Sequence, residues 1–286
     1  MTGTSASPNL RARERKIAEA FIGGFPWPML IWPLVNTTAW LALWPLVMSG
    51  ILPLWAGFAI ALVNVTASYL PSHDAQHHIF FARESRFHWL NELIGYYSLI
   101  PLALPLCTLR ETHLEHHRHA NDPALDPDYH IMEAPNVRGA LWGALTKNQP
   151  RYDRYGPTLE RIGTPIAKRA ILEALAGKAA FFGILSALAW TGHAAEAVLL
   201  WWLPRHVALI YVSFYLSWMP HFPGSGEGRY RDTRAFLSKL GNAGSSGMQY
   251  HIIHHLYPTI PLYRTPAAYR ALRPVLEERG CDLGGL

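Results

Sequence analysis

The chain has 286 residues, half of them hydrophobic and only 16% charged, with a formal net charge of +5. Soluble globular domains carry roughly a quarter charged residues, so disorder, a coiled coil and a small secreted scaffold are excluded, leaving a large apolar core or a membrane protein. Two cysteines far apart, Cys107 and Cys281, offer neither a disulfide framework nor a thiolate metal site.

In chain order, a basic N-terminal arm (1–25, with RARERK at 11–16) precedes a charge-free block at 28–48, and a second such block covers 51–72. Each is about long enough to cross a ~30 Å hydrocarbon core as a helix. The first is too long for a signal-peptide core and another apolar block follows at once, so it reads as a span. Residues 179–192 and 197–219 form a second apolar pair, broken only by Arg205 and His206. The sequence therefore predicts an all-α integral membrane protein with four transmembrane helices in two hairpins, 28–72 and 179–219. The hairpin tips, MSGILP at 48–53 and TGHAAEA at 191–197, hold no Lys or Arg. Every basic residue except Arg205 lies in the arm, in 73–178 or in the C-terminal third. By the positive-inside rule those parts, with both termini, are expected on the cytoplasmic side. Arg205 implies either an offset helix or a side chain facing the protein interior. The positive charge suits a face beside anionic lipid, and no nucleic-acid-binding module is recognisable.

Residues 73–178 and 220–286 are expected to form one helical cytoplasmic cap, making the chain a single membrane-embedded domain. Within the cap, the apolar stretch 93–109, broken by Pro101 and Pro105, reads as interfacial or re-entrant. Residues 158–178 read as an amphipathic helix along the membrane surface ahead of the third span. The Gly/Ser-rich segment 220–248 reads as a loop around a short helix.

Fifteen histidines carry the chemistry, and three clusters stand out: His73-Asp-Ala-Gln-His77-His78, His113-Leu-Glu-His116-His117 and His251-Ile-Ile-His254-His255. On a helix, residues at i, i+3 and i+4 share a face, so each cluster presents two or three imidazoles to one point. Each cluster follows an apolar block, and helices leaving the membrane on one side would bring all three together. Neutral imidazole is a good ligand for iron, zinc and copper. A single such pentad in a histidine-rich chain is weak; two copies and a related cluster on one face are not coincidental. No Glu-x-x-His occurs, so the carboxylate-rich di-iron bundle pattern is missing, as is the His-Glu-x-x-His of zinc proteases. Eight or nine histidines are too many for one ion, and two metals are the simpler inference.

These boxes, in order and spacing from about residue 30 to 272, resemble those of the membrane fatty acid desaturase superfamily, which includes carotenoid ring hydroxylases and ketolases. The resemblance implies four spans, a cytoplasmic cap and a histidine-bound centre of two iron ions. It also implies O₂ and two electrons used to desaturate or hydroxylate an unactivated C–H bond. The matching ligands are His73 and His77, with His78 replacing or joining His77; His113, His116 and His117; and His251, His254 and His255. His221, shortly after the last span, is the candidate for a further family ligand. No cytochrome-b5-like His-Pro-Gly-Gly segment is present, so electrons are expected from a separate protein, such as an acidic ferredoxin with its reductase meeting the basic face. The boxes leave the lipid substrate open. Acyl desaturation comes first as the commoner role, with a carotenoid ring hydroxylase or ketolase close behind. A metal transporter, which would place ligands near the bilayer midplane on broken helices, is the distant alternative of another class.

Around the boxes, Asp74 is a candidate to hold an imidazole tautomer, against a plain helix-capping role. Asn121, Asp122, Asp126 and Asp128 in NDPALDPD are candidates for hydrogen bonds to the histidines, against simple turn chemistry with Pro123 and Pro127. His88, His119, His130 and His193 are expected to be uninvolved, and the tryptophans to anchor the membrane interface.

Overall fold

The computed structural model describes residues 8–147, 152–226 and 228–286, and among these every regular element is helical. The first seven residues of the basic arm and residues 148–151 of the cap lie outside the described residues. Four helices are long and apolar enough to cross a membrane: Trp27–Met48, Leu54–Gln76, Pro165–Trp190 and Ala194–His221. Trp27, Trp55 and Trp190 stand exposed at their ends, where an amphipathic ring suits the boundary between lipid and water.

Polar side chains inside these helices find each other. Asn36 donates to the Asn64 carbonyl at 2.8 Å, and the Asn64 amide donates back to the Asn36 side-chain oxygen at 2.9 Å, joining the first span to the second. With no water in hydrocarbon, such a pair has no better partner than itself. The Trp40 indole donates to the Leu200 carbonyl at 3.0 Å, tying the first span to the fourth. Around it Trp40, Trp201 and Phe181 pack ring against ring in one apolar core.

The third span departs from expectation. Instead of a surface helix over 158–178 followed by a crossing at 179–192, one helix runs unbroken from Pro165 to Trp190, and the separate helix before it is Tyr152–Ile162. The break falls at Gly163 and Thr164 for local reasons. Gly163 takes φ +64°, a left-handed stop that favours glycine. Thr164 caps the next helix by accepting from the Ala167 amide, and Pro165 occupies its first turn.

The fourth span is widened twice, with π-helical turns at Ala197–Trp202 and Ser213–Trp218. Between them Arg205 is buried and faces the interior, donating to the Leu102 carbonyl at 2.7 Å. Trp201 donates to the Pro101 carbonyl at 2.9 Å. The proline-broken stretch 93–109 is thus two helices, His88–Leu99 and Leu106–His119, joined by a turn whose carbonyls are satisfied from the fourth span. Close approach at this corner requires Gly95: a β-carbon there would sit 2.7 Å from Leu106 and 2.9 Å from Ala75. That contact brings the end of the second span, and with it the first histidine box, against the helix carrying the second.

On the polar side, helix Pro8–Glu19 packs on helix Thr265–Glu278. Its buried Glu14 accepts from the Tyr230 and Tyr257 hydroxyls and from Arg279. Tyr257 lies two residues beyond the third box, so this ion pair anchors the segment that carries it.

Candidate metal centre

Each box sits where a helix ends or turns inward. His73 lies in the last turn of the second span and His77 caps it; His113, His116 and His117 share one face of Leu106–His119. His251, His254 and His255 ride the short helix His251–Leu256, and His221 closes the fourth span. Two groups of ligand atoms result, each within 4.8 Å of one another: His73, His77, His113 and His254, and then His116, His221 and His255. His117 lies between them, its Nε2 2.8 Å from Nε2 of His254 and 3.2 Å from that of His113, with its ring 4.2 Å from the His255 ring. His251 packs against His221, His254 and His255.

Box nitrogens meet at close range. Nε2 of His113 is 2.9 Å from Nε2 of His77, and Nε2 of His116 is 3.2 Å from Nε2 of His221. In the second pair the tautomers are set from outside. Nδ1 of His116 lies 2.8 Å from an Asp126 carboxylate oxygen, and Nδ1 of His221 lies 3.0 Å from the Asp232 carbonyl. Both partners only accept, so both Nδ1 atoms carry hydrogen; neutral rings would turn two Nε2 lone pairs on each other, and the contact needs either a proton on one Nε2, as the raised His116 favours, or a metal ion. Two nitrogens each about 2.1 Å from one ion and at right angles to it stand about 3.0 Å apart, which matches these separations. Both nitrogens of His251, Nε2 of His255 and Nδ1 of His73 are buried without a hydrogen-bond partner, another mark of a donor set built for metal. The residues present therefore fit two ions bound through imidazole.

Electrostatics point the same way. Burial, and after it the neighbouring imidazoles, hold His77, His113, His117, His251, His254 and His255 well below the usual histidine range, so they are neutral with a lone pair to offer. His116 differs. Burial lowers it as well, but the charge and hydrogen bond of Asp126 outweigh burial and raise it above its ordinary value.

Several sequence-level candidates fall elsewhere. His78 does not join the cluster. The helix ends at Gln76, and His78 takes φ +56°, which turns its ring to His88, 3.0 Å away. His88, expected to be uninvolved, is thus its partner. Asp74 holds no imidazole; it accepts from the Leu262 amide at 3.3 Å, tying the first box to the chain beyond the third. Of the NDPALDPD acids only Asp126 is hydrogen-bonded to a box histidine. Asp128 accepts from the Tyr155 hydroxyl. Asn121 donates its backbone N–H to Asp126 and its amide to the carbonyls of Gly226 and Asp232. Asp232 itself was not foreseen, because its contribution is a backbone carbonyl, which no residue type announces. Asp126→Asn is expected to weaken metal binding about 10–100-fold, the usual cost of losing a carboxylate behind a metal-bound histidine. Chelator competition monitored by metal content measures it.

The fatty acid desaturase family model matches residues 49–283. Among curated relatives, the sn-1 oleoyl-lipid 12-desaturase of Picosynechococcus sp. is 23% identical over 247 residues, covering 78% of this chain and 69% of that protein. Beta-carotene 4-ketolase 3 of Haematococcus lacustris is 24% identical over 235 residues, covering 78% of this chain and 64% of the relative. The zeaxanthin 4-ketolase of Chlamydomonas reinhardtii is 30% identical over 106 residues, 35% of this chain and 22% of the relative. The first two matches thus span about two thirds of the relatives' length.

Proposed function

This chain belongs to the fatty acid desaturase family, and we propose that it is a membrane di-iron oxidoreductase that desaturates an acyl chain of a lipid. The observation that carries this reading is the convergence of three histidine boxes and His221 into two donor groups, the first box and His221 coming from the ends of the second and fourth candidate spans. In this reading His73, His77, His113 and His254 hold one ion, and His116, His221 and His255 the other. His117 and His251 lie beside both. Two irons, when bound, supply the redox chemistry by which O₂ and two electrons break unactivated C–H bonds. For desaturation the balance is one –CH₂–CH₂– unit, O₂, two electrons and two protons giving –CH=CH– and two waters.

The protein's own residues orient and exclude. Asp126 fixes the tautomer and plane of His116, the Asp232 carbonyl does so for His221, and Asn121 fastens both supports to one another. The apolar core around Trp40, Leu104, Leu106 and Leu109 keeps water from the membrane side of the cluster. A polar cavity of about 480 Å³ is lined by His117 and His255, with Arg118, Arg229, Asp122 and Asp232 around it. The net charge of +5 supports a separate, acidic electron donor such as a ferredoxin, since opposite charge speeds and orients encounter. The distribution of Lys and Arg supports a cytoplasmic location for the histidine cluster and for both termini.

A second reading, carotenoid ring ketolation or hydroxylation, is favoured by the two ketolases among the relatives. Expression in a host supplying both membrane acyl chains and β-carotene, followed by mass spectrometry of the lipid extract, separates them. Acyl chains lighter by about two mass units establish desaturation; carotenoids heavier by one oxygen, or by the smaller gain of a ketone, transfer the assignment to the ring. No change in either pool at full iron content removes both substrates.

A further inference from the structure

Outside the main cluster, His78, His88 and Glu92 place three ligand atoms within 4.8 Å of one another. Nδ1 of His78 is 3.0 Å from Nε2 of His88, which is 3.4 Å from a Glu92 oxygen. Donors about 2.1 Å from a common ion and roughly at right angles have just this spacing. All three residues are partly exposed, so a hydrated ion reaches them and water completes its shell. Two imidazoles and one carboxylate on one side of an open position form the facial set that binds divalent iron and its first-row neighbours. We propose that His78, His88 and Glu92 form a third, peripheral site for a divalent first-row metal ion, separate from the buried histidine cluster. The site does not depend on the reaction proposed above.

The remaining contacts define how the site would fill. Arg110 donates to both Glu92 oxygens, at 2.6 and 2.8 Å, and Asn91 donates to one of them at 3.2 Å. These hold the carboxylate ionised and occupy both lone pairs of the oxygen facing His88, so an ion bound at that oxygen displaces the longer Asn91 contact. Arg83 donates to Nε2 of His78 at 2.9 Å. Arginine only donates, so neutral His78 carries its hydrogen on Nδ1, directed at His88. Metal binding through Nδ1 requires the other tautomer, with hydrogen on Nε2. The exposed Arg83 therefore competes with the ion, and a side chain able to accept at that position assists it.

The test is equilibrium dialysis of the full-length protein against buffered Zn²⁺, with metal content by elemental analysis, for the wild type, His88→Ala and Arg83→Gln. His88→Ala is expected to bind one ion per chain fewer than the wild type at saturation. Arg83→Gln is expected to keep that ion and bind it about tenfold more tightly, the scale of effects from groups behind a ligand. Equal metal content in the wild type and His88→Ala overturns the site. So does an Arg83→Gln protein that binds no tighter, a variant at an exposed position that leaves the fold intact. Failure of the buried cluster to bind metal would lower the totals for all three proteins and leave the His88 difference standing.

Discussion

Replacing His254 with alanine is expected, if the proposed di-iron centre is right, to cost the protein at least half of its bound metal and its activity together. Its Nε2 lies 2.8 Å from that of His117, and its ring lies tilted with its centroid 4.3 Å from that of His73, so it stands at the junction of the first box and the second. Losing it leaves His73, His77 and His113 to hold an ion alone, around a cavity where an imidazole had been. The loss should exceed the ~10–100-fold typical of a partner one layer further out. His193→Ala is the control, since His193 sits between the third and fourth spans, its side chain 3.8 Å from Glu196. Iron content by elemental analysis beside product formation reads both variants; normal iron in His254→Ala would sink the ligand assignment.

Glu14→Ala is expected to be the most destabilising change remote from the histidines. Glu14 is 1% exposed, Arg279 beside it has a 5% exposed side chain, and their nitrogen and oxygen meet at 2.5 Å. Removing one partner of a buried ion pair leaves the other charged and desolvated, at a cost of about 3–5 kcal/mol. The Tyr230 and Tyr257 hydroxyls lose their acceptor as well. Thermal unfolding in detergent, followed by tryptophan fluorescence, measures the effect, and a shift worth less than about 1 kcal/mol would mark the pair as peripheral. Glu14→Gln, which keeps an acceptor for the tyrosines, should lose less. Because Tyr257 lies two residues past His255, the alanine variant should also release iron more readily than the wild type. Glu14 lies outside the stretch 49–283 matched to the family.

The four long apolar helices were legible because hydrocarbon admits few charges and demands a minimum length, so composition alone locates them. The histidine boxes were legible because helical spacing puts i, i+3 and i+4 on one face whatever surrounds them. The start of the third span was misplaced because periodicity continues across Gly163 and Thr164, and only the capping geometry there breaks the helix. Arg205 could be narrowed to two alternatives from sequence, and packing against the Leu102 carbonyl chose the interior.

By itself the sequence determined the membrane class, the three boxes and a donor set fit for two ions, because these rest on local spacing and on the cost of charge in lipid. Tertiary structure decided which of two adjacent histidines, His77 or His78, turns inward, since a left-handed residue after the helix end sends the second ring the other way. It also decided that Asp126 rather than Asp74 or Asp128 supports an imidazole, and that a backbone carbonyl at Asp232 orients His221. Contacts between groups 10 to 105 residues apart depend on how helices pack, which no local pattern encodes.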